Sequence, residues 1–205
     1  MLHTCSLVGA SASTDYLRHG SPCAPPNLAR FADKTGNVIA MNPADNNAAL
    51  RTTDVRRRFD RAAAQFDGVD FVHAVARDSL LARLDPITID ARIIVDLGCA
   101  TGSACRPLTK RFRRARIIAI DLSLRMLEQA NKKRPRFAKT SAIQADATTV
   151  PLADHSVDLI YSNMLLPTTA QPASLFREFA RVPRKDGFFL FAPLAPALHT
   201  PPSVL

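Results

Sequence analysis

The sequence has no tryptophan, only seven glycines, and 18 acidic residues against 27 lysines and arginines. No apolar run approaches the roughly 20 residues that span a bilayer, which argues against a transmembrane helix. The cysteines form no C-x-x-C pair, so a structural zinc site is not expected. The simplest interpretation is a cytoplasmic protein that keeps reduced thiols at Cys5, Cys23, Cys99 and Cys105.

The charge imbalance amounts to a net charge of +9. Lysines and arginines cluster in residues 56–58, 110–116 and 132–134. Solvated helix faces and helix C-termini are the ordinary explanation for such clusters. The functional explanation is a surface that attracts an acidic macromolecule. Little aromatic interleaving and no binding motif count against nucleic acid, and an acidic carrier protein fits as well.

A length of 205 residues with 47% apolar content predicts one globular domain, which we place at residues 53–193. Residues 1–52 mix Ser, Pro, Gly and Asn without a sustained period, so they are predicted to be a disordered extension. Residues 194–205 are predicted to be a proline-rich tail.

The beginning of the chain admits two interpretations. A targeting peptide is poorly supported, because Asp15 and Asp33 interrupt it and the apolar core of a secretory signal is missing. Met41 is an alternative translation start, and we favour it slightly.

Hydrophobic periodicity predicts alternating strands and helices. Apolar residues recur every three or four positions from Thr53 to Phe66, with Asp54 as a candidate N-cap. A second helix is predicted over residues 70–84, ended by Asp85-Pro86. Alternation of this kind implies a Rossmann-like, doubly wound α/β fold with a parallel sheet. The predicted strands are 92–97, 116–120, 140–144, 157–161 and 187–192, and the helices between them are 102–112, 123–133 and 172–181.

The first predicted strand leads into a glycine-containing loop over residues 93–102. The glycine positions of the dinucleotide motif G-x-G-x-x-G fall here on Gly98, Ala100 and Ser103. That motif brings a pyrophosphate to the helix N-terminus, where the Asp96 carboxylate would repel it. A ligand with positive charge near the loop suits Asp96 better. S-adenosylmethionine, which carries an ammonium and a sulfonium, is such a ligand.

Polar residues also end the next three strands, where open α/β sheets bind ligands. Asp121 is placed to accept from ribose hydroxyls, although it could instead cap the next helix. Asp146 could accept from the exocyclic amine of an adenine, although a turn role remains open. Ser162-Asn163 faces the mouth of the same crevice. The candidate cofactor-binding residues are Asp96, Gly98, Cys99, Ala100, Gly102, Asp121, Leu122, Asp146, Ala147, Ser162 and Asn163.

Five segments resemble successive motifs of class I S-adenosylmethionine-dependent methyltransferases. They are residues 95–102, 117–123, 144–152, 157–163 and 184–191. Within that superfamily, the helix at 55–67 resembles the N-terminal helix of the malonyl-[acyl-carrier protein] O-methyltransferases of biotin synthesis. The segments 162–167 and 175–179 are similar to that family too. The resemblance covers about residues 53–193.

The chain departs from this family at several points. Ala100 stands where the family's loop usually has glycine, and Phe66 stands where tyrosine is usual. The usual proline-glycine-glycine turn is replaced by residues 184–187. The superfamily's sixth and seventh strands, with their antiparallel closing edge, have no counterpart. We therefore expect a sheet that lacks the last two strands.

The resemblance implies a methyl transfer to the free carboxylate of a malonyl thioester on acyl-carrier protein. This carboxylate is ionised at neutral pH, so no catalytic base is nominated. No metal site is expected. His73 and His155 are expected to be surface or packing residues. Two alternatives stay open: a methyltransferase for a small molecule, and a truncated, non-catalytic methyltransferase-like protein or assembly factor. The oligomeric state is left undetermined.

Overall fold

The computed structural model describes residues 51–135 and 138–192, together with the backbone of three short strands nearer the N-terminus. The helices are α1 (Thr52–Ala62), α2 (Phe71–Ala82), α3 (Cys105–Arg111), α4 (Leu124–Lys133) and α5 (Pro172–Arg181). The strands are β1 (Ser6–Gly9), β2 (Phe31–Ala32), β3 (Val38–Ile39), β4 (Ile93–Leu97), β5 (Arg116–Asp121), β6 (Thr140–Gln144), β7 (Val157–Asn163) and β8 (Pro183–Ala192). Short 3-10 turns occupy Phe66–Gly68 and Leu166–Thr168.

The main sheet has the strand order β1-β8-β7-β4-β5-β6. Strands β4 to β8 pair in parallel, which confirms the doubly wound architecture predicted from the sequence. Successive strands β4, β5 and β6 run outward in one direction, and β7 and β8 extend the sheet in the other. The strand order therefore reverses between β4 and β7, and open α/β sheets bind ligands at such a point.

The central strands of the sheet are buried on both faces. Neighbouring residues of a strand point to opposite sides, so two adjacent residues of β4 show what covers each face. Ile94 packs into an apolar cluster with Leu80 of α2 and Leu108 of α3. Its neighbour Val95 packs into a second cluster with Phe179 of α5. Within the described ranges, no helix combines the length and apolarity that crossing a bilayer requires.

Most predicted elements lie within a few residues of the observed ones. The largest differences concern α3 and β8. Helix α3 begins at Cys105, three residues later than predicted, because residues 101–104 form turns around Gly102. Strand β8 begins at Pro183, four residues earlier than predicted, because Pro183 pairs with Val157 beside a bulge.

Strand β1 pairs antiparallel with β8, with Ser6 opposite Phe191 and Gly9 opposite Phe188. The composition of residues 1–52 predicts no regular structure, but a sheet edge exposes unpaired backbone groups that a short segment can satisfy. An antiparallel strand thus lies at the β8 edge, although it comes from the N-terminal segment. Strands β2 and β3 form a separate antiparallel pair. The rest of residues 1–50 and the predicted tail lie outside the described residues, so the domain boundaries stay a prediction.

Candidate active site

A pocket opens at the carboxyl ends of the parallel strands. An inner cavity adjoins it and shares part of its wall, including Gly98, Ala100 and Asn163. Most of the residues singled out from the sequence meet here. The pocket wall contains Gly98, Ala100, Asp121, Leu122, Asp146, Ala147 and Asn163, and the inner cavity adds Asp96 and Cys99.

Two predicted residues lie elsewhere. Gly102 lines a surface groove beside the loop. Ser162 is buried inside β7 and does not belong to the pocket wall. Side chains alternate along a strand, so Asn163 faces the pocket while Ser162 turns away. The expectation that both residues line the crevice is therefore wrong for Ser162.

The loop after β4 depends on two glycines with positive φ. Gly98 has φ +74°, and a Cβ atom there would lie 3.0 Å from Leu165 Cδ1. Gly102 has φ +73°, and a Cβ atom there would lie 2.8 Å from the Cβ atom of Ala130 on α4. These glycines allow the loop to pass close to the pocket wall and to α4. Ala100 has φ +47° and adopts the left-handed conformation without being a glycine, which strains the loop.

Asp96 is the most buried charged group of the site, with 2% of its surface exposed. Its pKa is raised to about 7, mainly by burial; a hydrogen bond from the Cys105 thiol opposes the shift, and the charge of Asp121 adds to it. The Cys105 Sγ donates to Asp96 Oδ2 over 3.5 Å. Near neutral pH, Asp96 is therefore poised between its neutral and charged forms, and a nearby cation would favour the charged form.

Asp121 connects the loop to the start of α4. One carboxylate oxygen accepts from the backbone N–H of Ala100 at 2.8 Å, and the other accepts from the backbone N–H of Ser123 at 2.8 Å. Burial raises the pKa of Asp121, while these N–H donors act to lower it. The helix cap itself is Ser123, whose Oγ accepts from the Met126 N–H at 3.1 Å.

Asp146 and Asn163 complete the polar part of the wall. Asp146 Oδ1 accepts from both the backbone N–H and the hydroxyl of Thr148, at 2.9 and 2.7 Å. Asp146 thus forms a turn, the alternative left open from the sequence, and it lines the pocket as well. Asn163 Nδ2 donates to the backbone oxygen of His73 at 3.0 Å. The amide oxygen, Asn163 Oδ1, is buried and has no hydrogen-bond partner within the described part of the chain.

The segment before the sheet covers the pocket, which the sequence analysis did not anticipate. Val55 and Phe59 of α1 line the pocket together with Phe66 and His73. The periodicity of α1 indicated an apolar face, but it could not distinguish a core face from a pocket wall. The His73 ring packs against Phe66 with the ring centroids 5.2 Å apart. His155 lies outside this wall, with its Nδ1 3.1 Å from the backbone oxygen of Pro183.

Two hydrogen-bonded contacts hold this cover on the sheet. The Ser123 hydroxyl donates to Asp60 of α1 at 2.6 Å. The Thr101 hydroxyl donates to Asp67 at 2.6 Å, and Asp67 also forms an ion pair with Lys133 of α4. Burial raises the pKa of Asp67, but the hydrogen bonds from Lys133 and Thr101 outweigh it and leave the pKa lowered. These bonds fix the cover to the glycine loop and to α4.

The arrangement suits a cationic ligand with N–H donors. The Asp96 carboxylate and the unpartnered Asn163 Oδ1 both belong to residues that line the inner cavity. Arg77 lines the same cavity but is paired with Asp70, and no ion pair involves Asp96 among the described residues. The two acceptors therefore match an ammonium group. The residues present therefore fit the amino group of the cofactor expected from the sequence.

Thiol and metal chemistry find no support in the described residues. Cys99 and Cys105 are buried and free, and burial raises the pKa of both thiols, so they stay protonated at neutral pH. No cluster of metal-ligating side chains is found within residues 51–135 and 138–192.

Known proteins resemble this chain in sequence and in fold. Residues 95–191 match the family model described as "Methyltransferase domain". A malonyl-[acyl-carrier protein] O-methyltransferase of Halorhodospira halophila is 35% identical over 160 residues, which cover 78% of this chain and 54% of the relative. The chain spans about half the length of the curated relatives that it matches.

Two solved structures give the same result for the fold. One is the complex of the Haloferax volcanii Trm112 methyltransferase activator with a methyltransferase, which matches with 29% identity and a TM-score of 0.61, over 68% of this chain and 60% of that chain. The other is an S-adenosyl-L-methionine-dependent methyltransferase of Methanococcus maripaludis, with 20% identity and a TM-score of 0.54, over 70% of this chain and 64% of that chain. Residues 95–191 of this chain therefore match a methyltransferase domain, and the described residues share the fold of these two methyltransferases.

Proposed function

We propose that this protein methylates the free carboxylate of malonyl-acyl-carrier protein, using S-adenosylmethionine, in the cytoplasmic synthesis of biotin. The observation that carries the proposal is the pocket itself. On a methyltransferase fold, it gathers the glycine loop, Asp121, Asp146 and Asn163 around one crevice, with Asp96 in the adjoining cavity. The substrate class is supported by the curated relatives, which match the chain at up to 35% identity.

We assign roles to four polar residues of the pocket and the inner cavity from their positions. Asp96 and Asn163 Oδ1 would accept from the ammonium of the cofactor, deep in the inner cavity. Asp121 would accept from the ribose hydroxyls, and Asp146 with the neighbouring Ala147 would hold the adenine. S-adenosylmethionine, when bound, supplies an electrophilic methyl group on its sulfonium.

The proposed nucleophile, the malonyl carboxylate, needs no activation by a base, and the pocket walls suit it. A malonyl carboxylate is ionised at neutral pH, and it forms the new O–CH₃ bond as the S–CH₃ bond breaks, so no proton is transferred. Val55, Phe59 and Leu165 give this region an apolar wall. Such a wall removes water from the carboxylate and favours alignment of the reacting atoms. His73 is not required as a base.

The test measures transfer of a labelled methyl group from S-adenosylmethionine by the full 205-residue chain. Malonyl-acyl-carrier protein is compared with acetyl-acyl-carrier protein, which lacks the free carboxylate. We expect label on the malonyl form alone, as an ester that mild base releases. Calorimetric titration with the cofactor is performed on the same sample.

Three outcomes would contradict the proposal in different ways. Label on small acceptors but not on the carrier protein would favour a small-molecule methyltransferase. Cofactor binding without any transfer would favour a non-catalytic assembly factor. Neither binding nor transfer by a folded sample would indicate a remnant of the fold.

A further inference from the structure

The solvent side of α1 carries an unusual concentration of arginine. Arg57, Arg58 and Arg61 are all exposed, and we call these three residues the α1 arginine face. Arg57 and Arg61 are four positions apart and therefore neighbours on one side of the helix, where like charges cost stability. These arginines destabilise the helix and are exposed, so they do not pack in the core. We therefore look for a partner outside the chain.

Few acidic groups near this face neutralise it. Asp54 lies 4.0 Å from Arg57, and both side chains are largely exposed, so this pair is weak. Asp60, the other acidic residue of α1, turns inward to the Ser123 hydroxyl. Across the helix contact, Arg125 of α4 is paired with Glu128. Among the described residues, no ion pair involves Arg58 or Arg61.

The face borders an entrance to the pocket. A groove between α1 and the 3-10 turn Leu166–Thr168 is lined by Arg58, Val55 and Phe59 on one side and by Thr168 on the other. Val55, Phe59 and Thr168 also line the main pocket, so the groove leads into it. A substrate tethered to a macromolecule could therefore reach the pocket while the macromolecule rests on the arginine face.

We propose that the α1 arginine face is the docking surface for the acidic carrier protein whose thioester arm enters the pocket along the adjoining groove. This inference rests on the proposed function and names the surface that recognises its protein substrate. Charge complementarity favours an acidic protein, and the positive face would steer its approach in a salt-dependent manner. The groove beside the face gives the thioester arm a path into the pocket.

The test reverses two charges that lie outside the pocket and groove walls. The double variant Arg57→Glu/Arg61→Glu is compared with the control Arg113→Glu/Arg114→Glu, which changes the same charge in the exposed turn between α3 and β5. That turn precedes β5 and lies at the amino ends of the strands, opposite the pocket. Binding of fluorescently labelled malonyl-acyl-carrier protein is measured first, because it does not depend on catalysis.

We expect the α1 variant to weaken carrier binding by at least about tenfold and to flatten its salt dependence, while the control changes binding little. Methylation of malonyl-N-acetylcysteamine, a small thioester without a carrier, should be unchanged in both variants. Circular dichroism and thermal melting confirm that both variants are folded. For the carrier-bound substrate, kcat/KM should fall in parallel with binding.

The outcomes separate this inference from the proposed function. If both thioesters are methylated and the two variants weaken carrier binding equally or not at all, the docking surface is wrong and the function stands. If neither thioester is methylated but the α1 variant alone loses carrier binding, the docking surface stands and the function is wrong. A duplex RNA that binds more tightly than the carrier and loses binding in the same variant would overturn the choice of an acidic protein.

Discussion

Replacing Asp96 with asparagine should stabilise the ligand-free protein above neutral pH. Asp96 is 2% exposed, and burial raises its pKa from an ordinary value of 3.8 to about 7. Below pH 3.8 the carboxyl is protonated in the folded and unfolded states alike, so it contributes no pH dependence. Between pH 3.8 and 7 the unfolded chain releases this proton while the folded protein retains it, and stability falls as the pH rises.

The size of the effect follows from the two pKa values. Their difference corresponds to about 4 kcal/mol of lost stability once the pH exceeds 7. Asparagine keeps an oxygen that can accept from the Cys105 thiol but carries no charge to bury. We therefore expect Asp96→Asn to gain about 2–4 kcal/mol at pH 8 and much less at pH 5.

Urea denaturation at pH 5 and pH 8 measures this gain. The control is Asp186→Asn, which removes the same charged group from an exposed position of β8 and should change stability by less than about 0.5 kcal/mol. Equal stability of wild type and Asp96→Asn at pH 8 would refute the argument, as would a gain that does not grow with pH. The same variant should bind S-adenosylmethionine more weakly, because the ammonium loses its partner. If the variant is stabilised but binds S-adenosylmethionine with full affinity, Asp96 does not contribute to cofactor binding.

Three further substitutions test the glycine loop, its contact with the cover, and an ion pair on α5 outside the site. Ala100→Gly removes about 1 kcal/mol of strain from the left-handed conformation of this residue, but the extra freedom of glycine in the unfolded chain largely offsets the gain. Stability should therefore change by less than about 1 kcal/mol. Cofactor affinity, measured by calorimetry, should increase. Thr101→Val removes the hydroxyl that donates to Asp67, so hydrogen exchange across Phe66–Gly68 and α2 should accelerate. Unchanged exchange would show that this bond does not hold the cover on the loop. Arg181 lowers the pKa of Glu178, so the carboxylate stabilises the fold above the ordinary value of 4.5 and ceases to do so as the pH falls through the lowered pKa. Glu178→Gln should accordingly cost about 1–3 kcal/mol at pH 7 in urea melts, and progressively less as the pH falls below 4.5 towards the lowered pKa.

The fold could be predicted from the sequence because its signals are local. Each strand from β4 to β8 is a short apolar run, and each helix between them has a periodic apolar face. Errors occurred where pairing rather than pattern sets the boundary. Pro183 joins β8 only because Val157 lies opposite it, and the Ser6–Gly9 strand exists only because β8 leaves an edge. No pattern within either segment indicates its partner.

The site was predictable where strand ends alone define it. The glycine loop, Asp121, Asp146 and Asn163 all lie at the carboxyl edge of the sheet, as their positions in the sequence indicated. Ser162 was misplaced because the prediction ended β7 at residue 161. The strand alternation that sets the side-chain directions of residues 162 and 163 was therefore not applied to them. The covering contacts were missed because Thr101 bonds to a residue 34 positions away, and sequence spacing carries no trace of such a bond.

Helix α1 contributes both to the pocket wall and to the proposed docking surface. Experiments can distinguish the roles of its two sides. Its inner side supplies Val55 and Phe59 to the pocket, and its outer side supplies Arg57 and Arg61 to solvent. A change on the inner side alters the space that the cofactor and the malonyl group share, so it should affect small and carrier-bound substrates alike. A substitution on the outer side should affect only a carrier protein that is docked on the α1 arginine face. The ratio of activities on the two substrates therefore distinguishes a docking defect from a pocket defect, even where both lower the overall rate.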